Sequence, residues 1–172
     1  MRSTGANARR LPYSFPMARI GSPKGDCEGV IFSVPGVVLV NWDPALKAIC
    51  LEWQSWASSA EFAAALDAGL NCLAQHRGTR WLADCLDMKA VKQSDQEWLD
   101  RNWFPRALAL GLRRVAVVNP KSGLSKMNLD DIFGRVPATK LDVAYFATVA
   151  EGKEWLNRPF INTPRSLEAL PA

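Results

Sequence analysis

Val37-Val38-Leu39-Val40-Asn41-Trp42 is an apolar, β-branched run closed by Asp43-Pro44. Downstream, Lys47, Ile49, Leu51 and Trp53 alternate with Ala48, Cys50 and Glu52, which predicts a second strand and an antiparallel hairpin. Ser58-x-x-Glu61 has the spacing of a capping box, in which each residue satisfies a backbone amide at a helix start. The helix it opens carries Phe62, Leu66, Gly69 or Leu70, and Leu73 on one stripe and stops near Gly78, read as its C′ residue. Arg80-Trp81-Leu82-Ala83-Asp84 reads as a short buried strand. A second box, Ser94-x-x-Glu97, predicts a helix with Leu99, Trp103, Ala107 and Leu110 along one face, divided near Trp103 by Pro105 and ended by Gly111.

Arg113 to Val118 is another buried strand. Met127, Leu129, Ile132, Phe133 and Val136 then suggest a short helix between Ser122 and Val136, and Leu141 to Phe146 a further strand. A third box, Thr148-x-x-Glu151, opens a last helix through Trp155-Leu156 that ends before Pro159. After the hairpin, strands and helices alternate, which predicts an α/β fold. Its sheet is mixed and mostly parallel, of about five strands, joined by right-handed crossovers. The expected domain is 36–157. Residues 1–35, with Pro12, Pro16, Pro23 and Pro35, read as a loosely ordered leader that adds one strand at Val30–Val34, and 158–172 as an extended tail.

The net charge of +4 over 172 residues changes meaning once it is located. Residues 1–35 hold five basic and two acidic residues, leaving 16 basic and 15 acidic in the near-neutral remainder. A nucleic-acid partner is therefore not expected for the fold. Cys27, Cys50, Cys72 and Cys85 lack close pairings, and one histidine cannot complete a Cys/His cluster, so structural thiols in a reducing cytoplasm are expected and no metal. No apolar run approaches the roughly 18 residues of a membrane span.

Catalytic and cofactor signatures are sparse. His76 falls in the last turn of the first helix, where an imidazolium suits the helix dipole, and has no local nucleophile beside it. Phosphate-cradling glycine loops are absent, and no cofactor is expected. Asp84 ends a buried strand at the sheet edge where open α/β folds place their sites, and Asp87 follows in the same loop. The two carboxylates suit an acid/base or metal pair, or equally the capping of loop amides. Ser94 suits an N-cap or a phosphorylated helix start, with Asp95 beside it repelling an added phosphate. Seven tryptophans are many for this length. Trp53, Trp56, Trp103 and Phe104 are candidates to line a ligand cavity, and Trp98, off the helix stripe, is the candidate for exposure.

The order of elements, with Trp81-Leu82-Ala83-Asp84, Trp98, Trp103-Phe104-Pro105-Arg106, Gly111, Val115-Ala116-Val117, Phe146 and Trp155-Leu156, resembles the bacterial SpoIIAA-like group of STAS domains. The resemblance covers about 36–157 and extends in general shape to CRAL-TRIO lipid-binding domains. In phosphoregulated STAS domains a strand-ending Asp precedes an Asp-Ser-x-Gly segment whose serine is phosphorylated by a partner kinase. Asp84 matches the acid and Ser94 the helix start, while Gln93-Ser94-Asp95-Gln96 departs from the motif in having Gln before the serine and no glycine.

The resemblance implies a non-enzymatic cytoplasmic module that binds a protein partner or its own copy through the Asp84–Ser94 loop and second helix. A small apolar-ligand or lipid carrier is the alternative, and it predicts a cavity between the second helix and the sheet. An enzyme using Asp84 and Asp87 is a third reading.

Overall fold

The computed structural model describes residues 29–160. Readings that concern 1–28, Cys27 among them, and 161–172 lie outside the described residues. Six strands form one sheet in sequence order. They are β1 (Gly29–Val34), β2 (Val38–Asp43), β3 (Ala48–Trp53), β4 (Arg80–Asp84), β5 (Arg114–Val118) and β6 (Asp142–Phe146). β1, β2 and β3 pair antiparallel, and β3 through β6 run parallel. This is the expected mixed α/β sheet. The strand within the expected leader joins it at the edge and brings the count to six.

Because consecutive strands are neighbours, right-handed crossovers carry every connecting helix to the same face. That face receives α1 (Ser59–His76), α2 (Gln93–Trp98), α3 (Phe104–Ala109) and α4 (Gly123–Gly134), and it holds the main core. Val38, Val40, Trp42, Ile49, Leu51, Trp53, Trp81, Ala83, Val115 and Val117 are the strand residues buried beneath them. Each of the larger side chains contributes about 1.5–3 kcal/mol on burial. The opposite face is covered by α5 (Val149–Asn157), where Leu156 packs with Leu82 and Ala116. Gly152 allows this approach, since a Cβ there would stand 2.9 Å from Leu82 Cδ1. Lys153 also reaches Asp43 at 3.1 Å, tying α5 to the end of β2.

The capping boxes at Ser58/Glu61 and Thr148/Glu151 both form, with each side chain bonded to the other's backbone amide. The expected box at Ser94/Glu97 does not. Lys92 is the N-cap, without a side-chain bond, and its carbonyl accepts from Asp95 and Gln96 at 3.0 and 3.1 Å. Ser94 therefore lies inside the first turn, and Glu97 faces Gln93 and Arg101. At the end of α1 the left-handed residue is Arg77, φ 52°, rather than Gly78. Gly78 is required for space: a Cβ would lie 2.8 Å from Leu73 Cδ1 and 2.9 Å from Trp42 Cη2.

Pro105 does divide the second helix. Leu99–Trp103 forms a π-helical turn between α2 and α3, in which the Phe104 amide reaches back to the Leu99 carbonyl. A proline ring crowds the carbonyl four residues before it, and the wider turn relieves that contact. Leu99, Trp103 and Ala107 keep the expected buried stripe across the turn. Phe104 is buried beside them, while Leu110, expected on the apolar stripe, is the C-cap past the end of α3 and is 42% exposed. In α4 the inward stripe is Ser125, Leu129 and Ile132, which turns Met127 outward against expectation.

Gly69 faces Trp81, and a Cβ there would overlap the indole at Cη2. In an unobstructed helix interior Gly→Ala gains about 1 kcal/mol, so a loss would report the obstruction. Gly69→Ala is expected to destabilise by about 1–2 kcal/mol in denaturant unfolding, whereas Gly134→Ala, with open space around it, is expected to be neutral or stabilising.

Candidate functional site

The parallel strands end together, placing Glu52 and Asp84 side by side on β3 and β4. The chain then runs through 85–92 before α2 begins, and this loop is held to its neighbours. The Cys85 amide donates to the Val118 carbonyl, and the Lys121 amide donates to that of Leu86. Ser125 Oγ donates to the Met88 carbonyl at 3.0 Å, and the Val91 amide donates to Asn128 Oδ1 at 3.1 Å. Gln96 Nε2 closes the far end on the Val91 carbonyl at 3.0 Å. Ser125 and Gln96 are buried. None of these three side chains was singled out from the sequence, since a buried serine within a helical stripe looks like an interruption of it.

Asp84 Oδ1 accepts from the Leu86 amide at 3.1 Å, which is the turn-capping role. Burial raises its carboxyl above the usual range. The Leu86 bond opposes that rise, and the charges of Glu52 and Asp87 add to it. Asp87 is exposed and pairs with Lys121 at 2.8 Å. Asp95 is buried, and its Oδ2 accepts from Ser59 Oγ at 3.1 Å, joining the first turns of α2 and α1. Ser94 is exposed. Trp98, the candidate for exposure, is half-buried against the core. His76 stacks on Trp42 with ring centroids 4.7 Å apart. Among the described residues no group of three His, Cys, Asp or Glu side chains is placed to hold a metal ion, and no helix is long and apolar enough to cross a membrane.

Beneath the loop lies an apolar cavity of about 50 Å³, whose lining includes Trp53, Trp103, Phe104, Met88 and Leu99. Small-molecule sites start near roughly 300 Å³, so the second helix covers a core that is almost filled. Trp56, grouped with the cavity-lining candidates, is not on its wall. The residue is 49% exposed, with Lys92 Nζ 5.0 Å from the ring centroid. Cys85, at the cavity wall, and Cys50, on the opposite face of the sheet, carry no disulfide. Burial raises both thiols, that of Cys50 to about 11, which keeps them protonated at neutral pH.

Around the loop the apolar side chains that do meet solvent are Trp56, Leu86, Leu124 at 61% and Met127 at 64% exposed. Leu124 and Met127 lie one turn apart on α4, the helix whose Ser125 and Asn128 grip the loop from its other side.

Because the folded state raises the Asp84 carboxyl, it binds a proton more tightly than the unfolded chain, and stability falls as pH rises from about 4. Asp84→Asn keeps an acceptor for Leu86 and removes the charge. It is expected to raise the melting temperature at pH 7, with the gain shrinking as pH falls towards 4. An equal gain at both pH values would contradict this origin.

No family model, curated protein or solved structure matches this chain.

Proposed function

We propose that this chain is a non-enzymatic, STAS-like module of the cytoplasm that binds a protein partner through the rim formed by loop 85–92 and α4. The observation that carries this reading is the pair Leu124 and Met127, both more than 60% exposed on a helix that is itself bonded to the loop. Large apolar side chains held outward on a rigid element favour association, because little conformational entropy remains to be lost on binding. Trp56 and Leu86 extend the apolar surface, and Lys92, Lys121 and Asp87 supply a charged border.

The polar candidates support the same reading through their bonding. Asp84 caps a turn, Asp87 is paired with a lysine and Asp95 joins two helices. Asp84 and Asp87 thus hold the loop, and Asp95 holds the start of α2 against α1. The cavity volume weighs against a lipid as occupant, since about 50 Å³ is well short of one acyl chain.

Affinity capture from the source cell with the wild-type chain and with a Leu124→Glu, Met127→Glu double variant tests the reading. Both positions face solvent, so the variant is expected to keep the wild-type circular dichroism and a stability within about 0.5 kcal/mol. It should lose a protein that the wild type retains. Recovery of the same proteins by both would contradict the proposal.

A further inference from the structure

The two edges of the sheet differ. At β1 the register shifts between Val30 and Phe32, and Gly29 has φ 106°, features that bend an edge away from further pairing. At the other edge β6 reads Asp142-Val143-Ala144-Tyr145-Phe146, with no bulge, proline or lysine. Its inner side is settled by two bonds to the residues that flank β5. The Asp142 amide donates to the Arg113 carbonyl, and the Phe146 carbonyl accepts from the Asn119 amide, both at 2.9 Å. In a parallel ladder a residue turns both backbone groups to the same neighbour. Asp142, Ala144 and Phe146 thus face β5, and Val143 and Tyr145 turn their amides and carbonyls outward.

The outward stretch is bounded on both sides. The Leu141 amide is taken by the Pro137 carbonyl at 3.2 Å, and the Ala147 amide by Glu151 Oε2 at 3.0 Å. Among the described residues nothing accepts from or donates to the backbone of Val143 and Tyr145. The open edge therefore carries two donors and two acceptors, placed symmetrically about Ala144.

We propose that this edge pairs antiparallel with β6 of a second copy, about a two-fold axis at Ala144. Val143 of each copy then lies opposite Tyr145 of the other, and their backbones exchange four hydrogen bonds that use every open group. A shift of one rung in either direction sets Tyr145 against Leu141 or Val143 against Ala147, whose amides are already bonded. The open groups are thus self-complementary about Ala144, as an isologous two-fold contact requires. The side chains agree with the register. Val143 is half-buried and Tyr145 exposed on the same face, giving two β-branched–aromatic cross-strand pairs, while the small Ala144 meets its own copy at the axis. The Tyr145 ring is already oriented by α4, its hydroxyl donating to the Leu129 carbonyl at 3.4 Å.

Sedimentation velocity of the full chain is expected to give a dimer at micromolar concentration. Ala144→Lys sets two ammonium groups face to face and should weaken the dimer about tenfold or more, with the monomer's circular dichroism unchanged. Ala144→Cys tests the register without a bulky side chain. The two Ala144 Cα atoms of a non-hydrogen-bonded antiparallel pair stand about 4.5 Å apart, within disulfide range. Mild oxidation should link the copies at 144, identified by peptide mass mapping, and Asp142→Cys, whose copies would stand about 13 Å apart, should not link. A wild-type chain that stays monomeric at hundred-micromolar concentration overturns the proposal, as does coverage of the edge by the chain's own 1–28 or 161–172, which would leave it monomeric. A dimer that ignores Ala144→Lys and forms no 144–144 link overturns it as well.

Discussion

Trp81 and Trp103 meet edge to face, with ring centroids 5.1 Å apart, at the point where sheet, first helix and second helix converge. Trp81 rises from β4 into the space that Gly69 leaves on α1. Trp103 comes from the π turn and donates its indole N–H to the Leu66 carbonyl of α1 at 3.3 Å. From Trp103 the contact continues through Phe104 and Phe133 to Tyr145, at centroid separations of 5.3, 5.9 and 6.5 Å. One chain of aromatic rings thus connects β4, the divided helix, α4 and β6. The buried indole is tolerated because its single donor is satisfied.

The proposed rim depends on this chain. α4 can hold the 85–92 loop through Ser125 and Asn128 only if α4 is itself fixed to the sheet, and Phe133, Leu129 and Ile132 provide that attachment. The loop in turn roofs the small cavity with Met88 and Val91. Rigidity at the rim and the outward display of Leu124 and Met127 are therefore consequences of packing some distance away.

Much of the architecture was legible in the chain because its signals are local. Alternation gave the hairpin, buried β-branched runs gave β4 and β5, and two Ser/Thr-x-x-Glu boxes marked helix starts. The box at Ser94 misled, because Ser94 and Glu97 have the right spacing while the Lys92 carbonyl starts the helix two residues earlier. Pro105 announced a division in its helix, but the π turn that carries it follows from how the ring is accommodated, and Leu110 is exposed because α3 ends before it. Gly78 illustrates a subtler mismatch. Its position past α1 was readable, and its reason, crowding by Trp42 and Leu73, comes from residues distant in sequence or packed in three dimensions. The loop's anchors, Ser125, Asn128 and Gln96, are ordinary polar residues whose roles depend on carbonyls and amides brought near by the fold. The carboxylates of Asp84, Asp87 and Asp95 stand out in the chain, and each is bonded to its own surroundings.

Amide hydrogen exchange on Trp103→Leu tests the dependence of the rim on the aromatic chain most directly. The substitution removes the contact with Trp81 and the bond to Leu66, and a loss of about 3 kcal/mol is expected. Protection is expected to fall in α1 and also at the Val91 and Lys121 amides, which lie outside the substituted helix. Unchanged protection at Val91 and Lys121, with loss confined to α2, the π turn and α3, would contradict that dependence.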